Sequence, residues 1–218
     1  MDAPRPVILS IAGADPSSGA GLQADLCTGV ALGVHVCTVL TAWTVQNTQG
    51  VQRVVVLDPA DTRQQLEQIL ADFAIAAIKI GLIGSVAMAR MLVELLSPLA
   101  LPIILDPLWR AGAGAALADA PLFRVLREEL LPLVLIATPN GPEAALLGES
   151  PDLDQAASRL SLPWLLISGG HGTQALLDNR LYRQGRLYER YPQERLAGQY
   201  HGTGCTLSTA IAAGIALG

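Results

Sequence analysis

Apolar positions along this chain come in two textures that alternate from end to end. Short unbroken runs have the length of buried strands: PVILSIA (6–12), VCTVLTAW (36–43), VQRVVVL (51–57), AAIKIG (76–81), LPIILDP (101–107), LVLIATPN (133–140) and PWLLISGG (163–170). Between them lie segments whose apolar residues recur at helical spacing. These are GLQADLCTGVALG (21–33), DPADTRQQLEQILADF (58–73), SVAMARMLVELL (85–96), APLFRVLREELL (120–131), GPEAALLG (141–148) and DLDQAASRL (152–160). Their ends carry matching punctuation: Asp58-Pro59 and Ser85 open helices, and Gly33 closes one. ALLDNRLYRQGRLYERY (175–191) has turn-like DN and QG separations and predicts antiparallel hairpins. A last apolar helix follows HGTG (201–204). Strands alternating with helices of about 10–15 residues predict an α/β fold, a mostly parallel central sheet with helices on both faces.

In such sheets ligands bind beyond the carboxyl ends of the strands, so the residues that follow each strand are the candidates. After the first comes GADPSSGAGLQAD (13–25). Its glycines, Gly13 among them, allow close backbone approach, and Asp25 falls about one turn into the next helix, where it either meets a ligand or complements the helix dipole. AWTVQNTQGV (42–51) reads as a polar loop in which the Gln46 amide, both donor and acceptor, suits the edge of a heterocycle. KIGLIGS (79–85) sets Gly81 and Gly84 around Leu82. ILDP (104–107) ends a strand in Asp106, a candidate ligand for a metal-bound water or the first residue of a turn. Asn140 and Glu143, three apart at a helix start, could hold Mg²⁺ through water or form a capping box. The paired Gly169 and Gly170 could sit against a nucleotide, with His171 beside them. HGTGC (201–205) puts consecutive backbone N–H groups at a helix N-terminus, a ready anion site, and that field predicts a lowered pKa for Cys205.

Composition narrows the class. Of 218 residues 51% are hydrophobic and 15% charged, which places the chain far from the disordered regime. A net charge of −5 without basic runs argues against a nucleic-acid partner. Apolar stretches are interrupted within about 12 residues, short of the roughly 18–20 of a membrane span, so no membrane partner is expected. MDAPRPVILSIAG lacks the basic start and cleavage site of a signal peptide. Three cysteines, Cys27, Cys37 and Cys205, at unrelated spacings argue against a disulfide framework or a zinc site. The expectation is a cytoplasmic protein with free thiols.

Seven stretches taken together resemble the hydroxymethylpyrimidine/phosphomethylpyrimidine kinase family of thiamine biosynthesis, which has the ribokinase-like fold. They are IAGADPSSGAGLQADL, LTAWTVQNTQGV, KIGLIGS, LDP, TPNGPEAALL, GGH and HGTGCTLSTAIAA, in the family's order across nearly the whole chain. QNTQGV and HGTGCTLS are the specific ones. The resemblance implies one ribokinase-like kinase domain over residues 1–218 that uses ATP and Mg²⁺. It would phosphorylate 4-amino-5-hydroxymethyl-2-methylpyrimidine and then the monophosphate. It also implies a homodimer. Carried over by position, Asp25 and Gln46 bind the aminopyrimidine edge, and Gly13, Leu82 and Leu108 line that pocket. Asn140 and Glu143 lie on the nucleotide and Mg²⁺ side. Gly202, Thr203, Gly204 and Cys205 form the anion hole, with Cys205 where other ribokinase-like enzymes carry an aspartate base. The sequence departs from the family in three places. Ser168 stands where the family has lysine before GGH. Gly112 stands near a second usual lysine, with Arg110 close by. The helical segment that usually follows the anion-hole helix is missing. A pyridoxal kinase is the alternative enzyme, and a pyrimidine-binding relative with weakened catalysis is the alternative of another class.

Overall fold

The computed structural model describes residues 5–47, 49–109, 119–170, 176–198 and 200–218. Nine strands form one sheet: β1 (Val7–Ala14), β2 (His35–Asn47), β3 (Gly50–Val56), β4 (Ile75–Ile80), β5 (Ile103–Leu105), β6 (Ile136–Ala137), β7 (Trp164–Ile167), β8 (Leu176–Arg183) and β9 (Arg186–Glu194). Their order across the sheet is β3-β2-β1-β4-β5-β6-β7-β8-β9. The six from β2 to β7 pair in parallel, while β3 and the β8–β9 hairpin close the two edges antiparallel. The order turns back between β1 and β4, because the chain runs outward to β3 before returning to β4. That reversal makes a crevice at the carboxyl ends of β1 and β4.

Side chains alternate between the two faces, as the pleat requires. Leu9, Ile11, Ile78, Ile80, Ile103 and Leu105 enter the larger core, with Leu66 of α2 (Pro59–Asp72), Met88 and Leu92 of α3 (Val86–Leu96) and Phe123 of α4 (Ala120–Val125). Ala144 of α5 (Gly141–Leu147) and Ala157 of α6 (Leu153–Leu160) belong to the same core. Ile8, Val36, Ala77 and Ile104 face the other way, against Ala212 and Ala213 of α7 (Thr203–Leu217). Helix α1 (Gly21–Ala31) packs beside α7 and against β1 and β2. Caps form where the sequence signals them: Asp58 accepts from the Ala60 N–H and Ser85 from the Met88 N–H.

Four details differ from the sequence reading. The stretch around Gln46 is not a loop. Strand β2 continues through Asn47, and the polar residues become the tip of the β2–β3 hairpin. The helix expected over 120–131 is α-helical only to Val125. It widens into a π turn at Leu126–Leu130 and tightens to a 3₁₀ turn at Leu131–Leu133, where Pro132 can give no N–H to a regular helix. Asp178-Asn179 lies within β8 rather than at a turn. The reversal comes only at Gln184-Gly185, both at positive φ (49° and 73°), as a two-residue hairpin turn favours. Helix α7 begins at Thr203, so it takes in the last two residues of HGTG. No described helix is long and apolar enough to cross a membrane.

Candidate active site

The loop leaving β1 turns around Asp15. This carboxylate, 1% exposed, accepts hydrogen bonds from Ser17 N (2.8 Å), Ser17 Oγ (2.7 Å) and Ala20 N (2.9 Å). His201 Nε2 approaches it at 3.2 Å from the entry to α7. Burial works against the Asp15 charge, but hydrogen bonds from Ser17, Gln46 and Ala20 outweigh it and hold the carboxyl below its ordinary value. Asp15 thus ties together the glycine loop, the hairpin tip that carries Gln46 and His201 at the entry to α7. Gly13 and Leu82 meet across the β1–β4 crevice, where a Cβ on Gly13 would lie 2.7 Å from Leu82 Cδ2. The Thr41 hydroxyl donates to the Leu82 carbonyl and fixes that segment. Leu108 borders a small cavity with Gly81 and Ile83, one residue further along the same wall. Gly13 and Leu82 thus lie against each other, and Gln46 reaches the same loop through its hydrogen bond to Asp15.

Asp25 is different. It is fully buried, and both of its oxygens are taken. Oδ1 accepts from Thr209 Oγ1 (2.7 Å) and Lys79 Nζ (3.0 Å); Oδ2 accepts from Ser10 Oγ (2.6 Å) and Lys79 Nζ (2.7 Å). A carboxylate has about four lone-pair sites, so none is left for a pyrimidine edge. The expected ligand contact of Asp25 is therefore replaced by a structural one, a knot joining β1, β4, α1 and α7.

The amide end of α7 lies at the carboxyl ends of the strands. Gly202 takes the N-cap position at φ 78°, and a Cβ there would overlap the Gly19 carbonyl, so only glycine permits this approach of α7 to the β1 loop. No side chain caps the helix, which leaves the first amides, Thr203, Gly204 and Cys205, without intrahelical acceptors. Asp106 sits beneath them: its Oδ2 would be 3.4 Å from a Cβ on Gly204. That same oxygen is buried without a hydrogen-bond partner among the described residues. Burial pushes Asp106 up to about 7, with the Lys79 ammonium pulling the other way. Cys205 is 5% exposed, and burial pushes its thiol up to about 11 despite Lys79. The lowered thiol pKa expected from the helix field is overturned, because desolvation of the anion exceeds the pull of Lys79 and the Gly21 backbone hydrogen bond.

At the start of α5, Asn140 and Glu143 form a complete capping box. Asn140 Oδ1 accepts from Glu143 N (2.9 Å), and Glu143 Oε2 accepts from Asn140 N (2.9 Å). Glu143 Oε1 also accepts from Trp109 N (3.2 Å). Burial raises the Glu143 pKa against these bonds. Gly169 N donates to Asn179 Oδ1 (3.0 Å), and the Gly170 carbonyl accepts from Arg195 (3.0 Å). Ser168 bridges to Asn140 in parallel, so the two loops are adjacent. Arg110, Gly112 and His171 lie outside the described residues. Among the described residues no group of three or more His, Cys, Asp and Glu could hold a metal ion. The donor set nonetheless fits Mg²⁺, which takes one or two carboxylates and leaves its other positions to water and phosphate oxygens. Asp106, with an oxygen to spare, fits better than Glu143, whose oxygens each carry a backbone bond. A separate cavity of about 380 Å³ is lined by Arg127, Leu131, Gly148 and Arg159 and shares no residue with this site.

Asp15, Ser10 and Thr209 were not singled out from the sequence, and Lys79 stood out there only as the chain's one lysine, with no role given to it. A readable signal existed for Lys79, a lone lysine inside the apolar run AAIKIG.

Comparison with known proteins gives a consistent result. The sequence model of the family described as phosphomethylpyrimidine kinase matches residues 15–218. A hydroxymethylpyrimidine/phosphomethylpyrimidine kinase of Streptomyces coelicolor is 37% identical, over 98% of this chain and 82% of its own. The crystal structure of a phosphomethylpyrimidine kinase from Clostridium difficile superposes with a TM-score of 0.82 at 32% identity, covering 98% of this chain and 92% of that one. A pyridoxal kinase from Staphylococcus aureus, in complex with AMP-PCP and pyridoxal, gives 0.86 at 26% identity, covering 98% and 81%.

Proposed function

The chain belongs to the phosphomethylpyrimidine kinase family, and on that premise we propose that it transfers the γ-phosphoryl group of ATP to 4-amino-5-hydroxymethyl-2-methylpyrimidine and then to the resulting monophosphate. The observation that carries the reading is the uncapped amide end of α7 over the unpartnered Asp106 carboxylate. Phosphoryl transfer through a loose transition state asks a protein mainly for positioning and charge stabilisation. The Thr203, Gly204 and Cys205 amides supply fixed dipoles to the charge on the transferring group. The Cys205 thiol, neutral near pH 7, orients the attacking hydroxyl by hydrogen bonding rather than abstracting its proton as a thiolate. Gln46, held by Asp15, offers a donor and an acceptor to the aminopyrimidine edge, while Gly13, Leu82 and Leu108 form its apolar walls. Asn140, Gly169 and Gly170 line the nucleotide side, and Glu143 shapes it through the cap. Mg²⁺, when bound, would neutralise phosphate charge, with Asp106 as the residue that holds it or its water. Cytoplasmic location and a homodimer belong to the same proposal.

The likeness to a pyridoxal kinase structure supports a second reading, phosphorylation of pyridoxal in the same crevice. A coupled ADP-release assay with the aminopyrimidine, its monophosphate and pyridoxal separates the two. Turnover of the pyrimidines with higher kcat/KM is expected. Measurable pyrimidine binding without turnover of any of the three would sink the kinase reading.

A further inference from the structure

Lys79 is the one lysine in the sequence; every other cationic residue is an arginine. It is also fully buried, at the carboxyl half of a central strand. Its ammonium makes both bonds to Asp25, and it lies 3.0 Å from where a Cβ on Gly81 would stand. A side chain at position 81 would crowd the ammonium, so the glycine keeps this space for it. Asp25 in turn holds Ser10 of β1 and Thr209 of α7. Thr209 lies within the helix whose first amides form the anion site.

Stability alone is a poor reason for this arrangement. Taking two charges out of water is expensive, and well-packed apolar residues of similar volume often serve a core as well or better. What an apolar pair could not supply is a fixed positive charge. At Asp106 and Cys205 the Lys79 ammonium opposes the burial penalty more strongly than the Asp25 carboxylate adds to it, so the pair turns its positive end toward them. A buried charge acts over several ångströms with little screening.

We propose that Lys79 and Asp25 are positioning residues for phosphoryl transfer: they rivet α7 to β1 and β4 and hold a buried positive charge beneath the amides that receive the transferring group. The proposal deepens the kinase reading and rests on it. Neither residue touches substrate. Asp25 has no free lone pair, and Lys79 lies wholly inside. They act through Thr209, through Asp106 and through the placement of the α7 amides.

The test removes both charges together. Lys79→Met alone would strand a buried carboxylate and is expected to unfold much of the protein. In the Lys79→Met/Asp25→Asn variant no charge is left unpaired, and the Asn amide can still bond Ser10 and Thr209. It should melt within about 5 °C of wild type. Its kcat should fall by on the order of 10²-fold, as when a fixed charge or dipole is taken from a transition state. The KM for the aminopyrimidine should stay within roughly threefold, because the Gln46 crevice is untouched. A folded double variant with kcat within about threefold of wild type would overturn the proposal, as would a loss that falls equally on KM. Should the double variant not fold, Thr209→Val decides: it cuts one link of the rivet and leaves the ion pair. A lowered kcat at unchanged pyrimidine KM is then expected, and an unchanged kcat refutes the rivet. A wild-type chain with no turnover sinks the kinase reading itself, a result distinct from an active wild type matched by an active double variant.

Discussion

Asp106 follows β5 with one carboxylate oxygen buried and without a partner, and burial has pushed its pKa to about 7 from an ordinary 3.8. Between those pH values the folded protein keeps a proton that the unfolded chain releases. Stability from this group is therefore complete below about pH 4 and lost as pH rises through about 7. Asp106→Asn should stabilise the protein by about 1–3 kcal/mol at pH 8 and by less at pH 5, where the unfolded carboxyl has begun to ionise and only part of the loss has accrued. The same change should lower kcat by on the order of 10²-fold. Urea unfolding at the two pH values, beside the ADP-release assay, reads both effects. A variant less stable at pH 8 would mean that Asp106 is satisfied in the native state. Cys205 offers a second check. Its thiol is pushed up to about 11 and buried, Cys37 is buried too, and Cys27 is exposed. Iodoacetamide at pH 8 should therefore give one early adduct, on Cys27, by peptide mass spectrometry. Equally fast labelling of Cys205 would contradict its neutral, enclosed state. The sequence could place Asp25 and Cys205 on their helices but not weigh their surroundings. Asp25 meets partners 15, 54 and 184 positions away, and no local spacing encodes that. Desolvation, which reverses the pKa expected for Cys205, is likewise a property of the assembled site.

Capping signals were the most legible features at the level of single elements. Asp58, Ser85 and Asn140 all cap as their local patterns imply, because an N-cap is satisfied within three residues of itself. Asn140 and Glu143 read from sequence either as a capping box or as Mg²⁺ ligands, and the box is what forms. Asn140→Ala should therefore cost about 1 kcal/mol of stability. Glu143→Gln, which keeps an acceptor of the kind found at that position of a capping box, should cost less. Both changes are measurable by thermal denaturation. If Glu143 also helps hold Mg²⁺, the glutamine variant will need more Mg²⁺ for half-maximal turnover; an unchanged Mg²⁺ dependence confines it to the cap. Glycines were harder to rank from sequence, since their need depends on what lies opposite. Gly202 combines a left-handed backbone with direct contact on the Gly19 carbonyl. Gly202→Ala should displace the α7 amides and abolish most turnover, whereas Gly170→Ala, with open space where its Cβ would go, should not disturb packing. The DN pair in β8 was misread for a related reason. Asn and Asp favour turns, but here Asn179 spends its amide on Gly169 and Gln193 and stays in the strand.

For the molecule as a whole, strand–helix alternation was enough to point to the end of the sheet where the candidate residues gather. Gly13, Leu82, Asp106, Asn140 and Gly169 all lie at or just beyond the carboxyl ends of parallel strands, where the sheet order reverses or its loops gather. What the pattern could not supply is how α7 crosses the sheet. Its sequence is apolar almost all round, so no single face announces itself. Its buried residues are small: Cys205, Ser208, Thr209, Ala212 and Ala213. Small side chains let the helix come close to Ile8, Ala77 and Ile104, near enough for Thr209 to reach Asp25. This implies that α7 shares the stability of the central strands, although it is the last element described. The opposite edge should behave otherwise. Every residue of β9 is exposed, and it pairs on one side only, with β8. Elements with few buried apolar contacts open locally ahead of the core. In hydrogen exchange read by mass spectrometry, amides of residues 206–213 should therefore exchange with those of β1 and β4 as one slow unit. Those of β9 should exchange at least about 100-fold faster, the ratio given by a difference of about 3 kcal/mol in opening free energy. Early exchange in α7 with β1 still protected would mean that the Asp25 knot does not hold the helix, and the amide end over Asp106 would lose its fixed support.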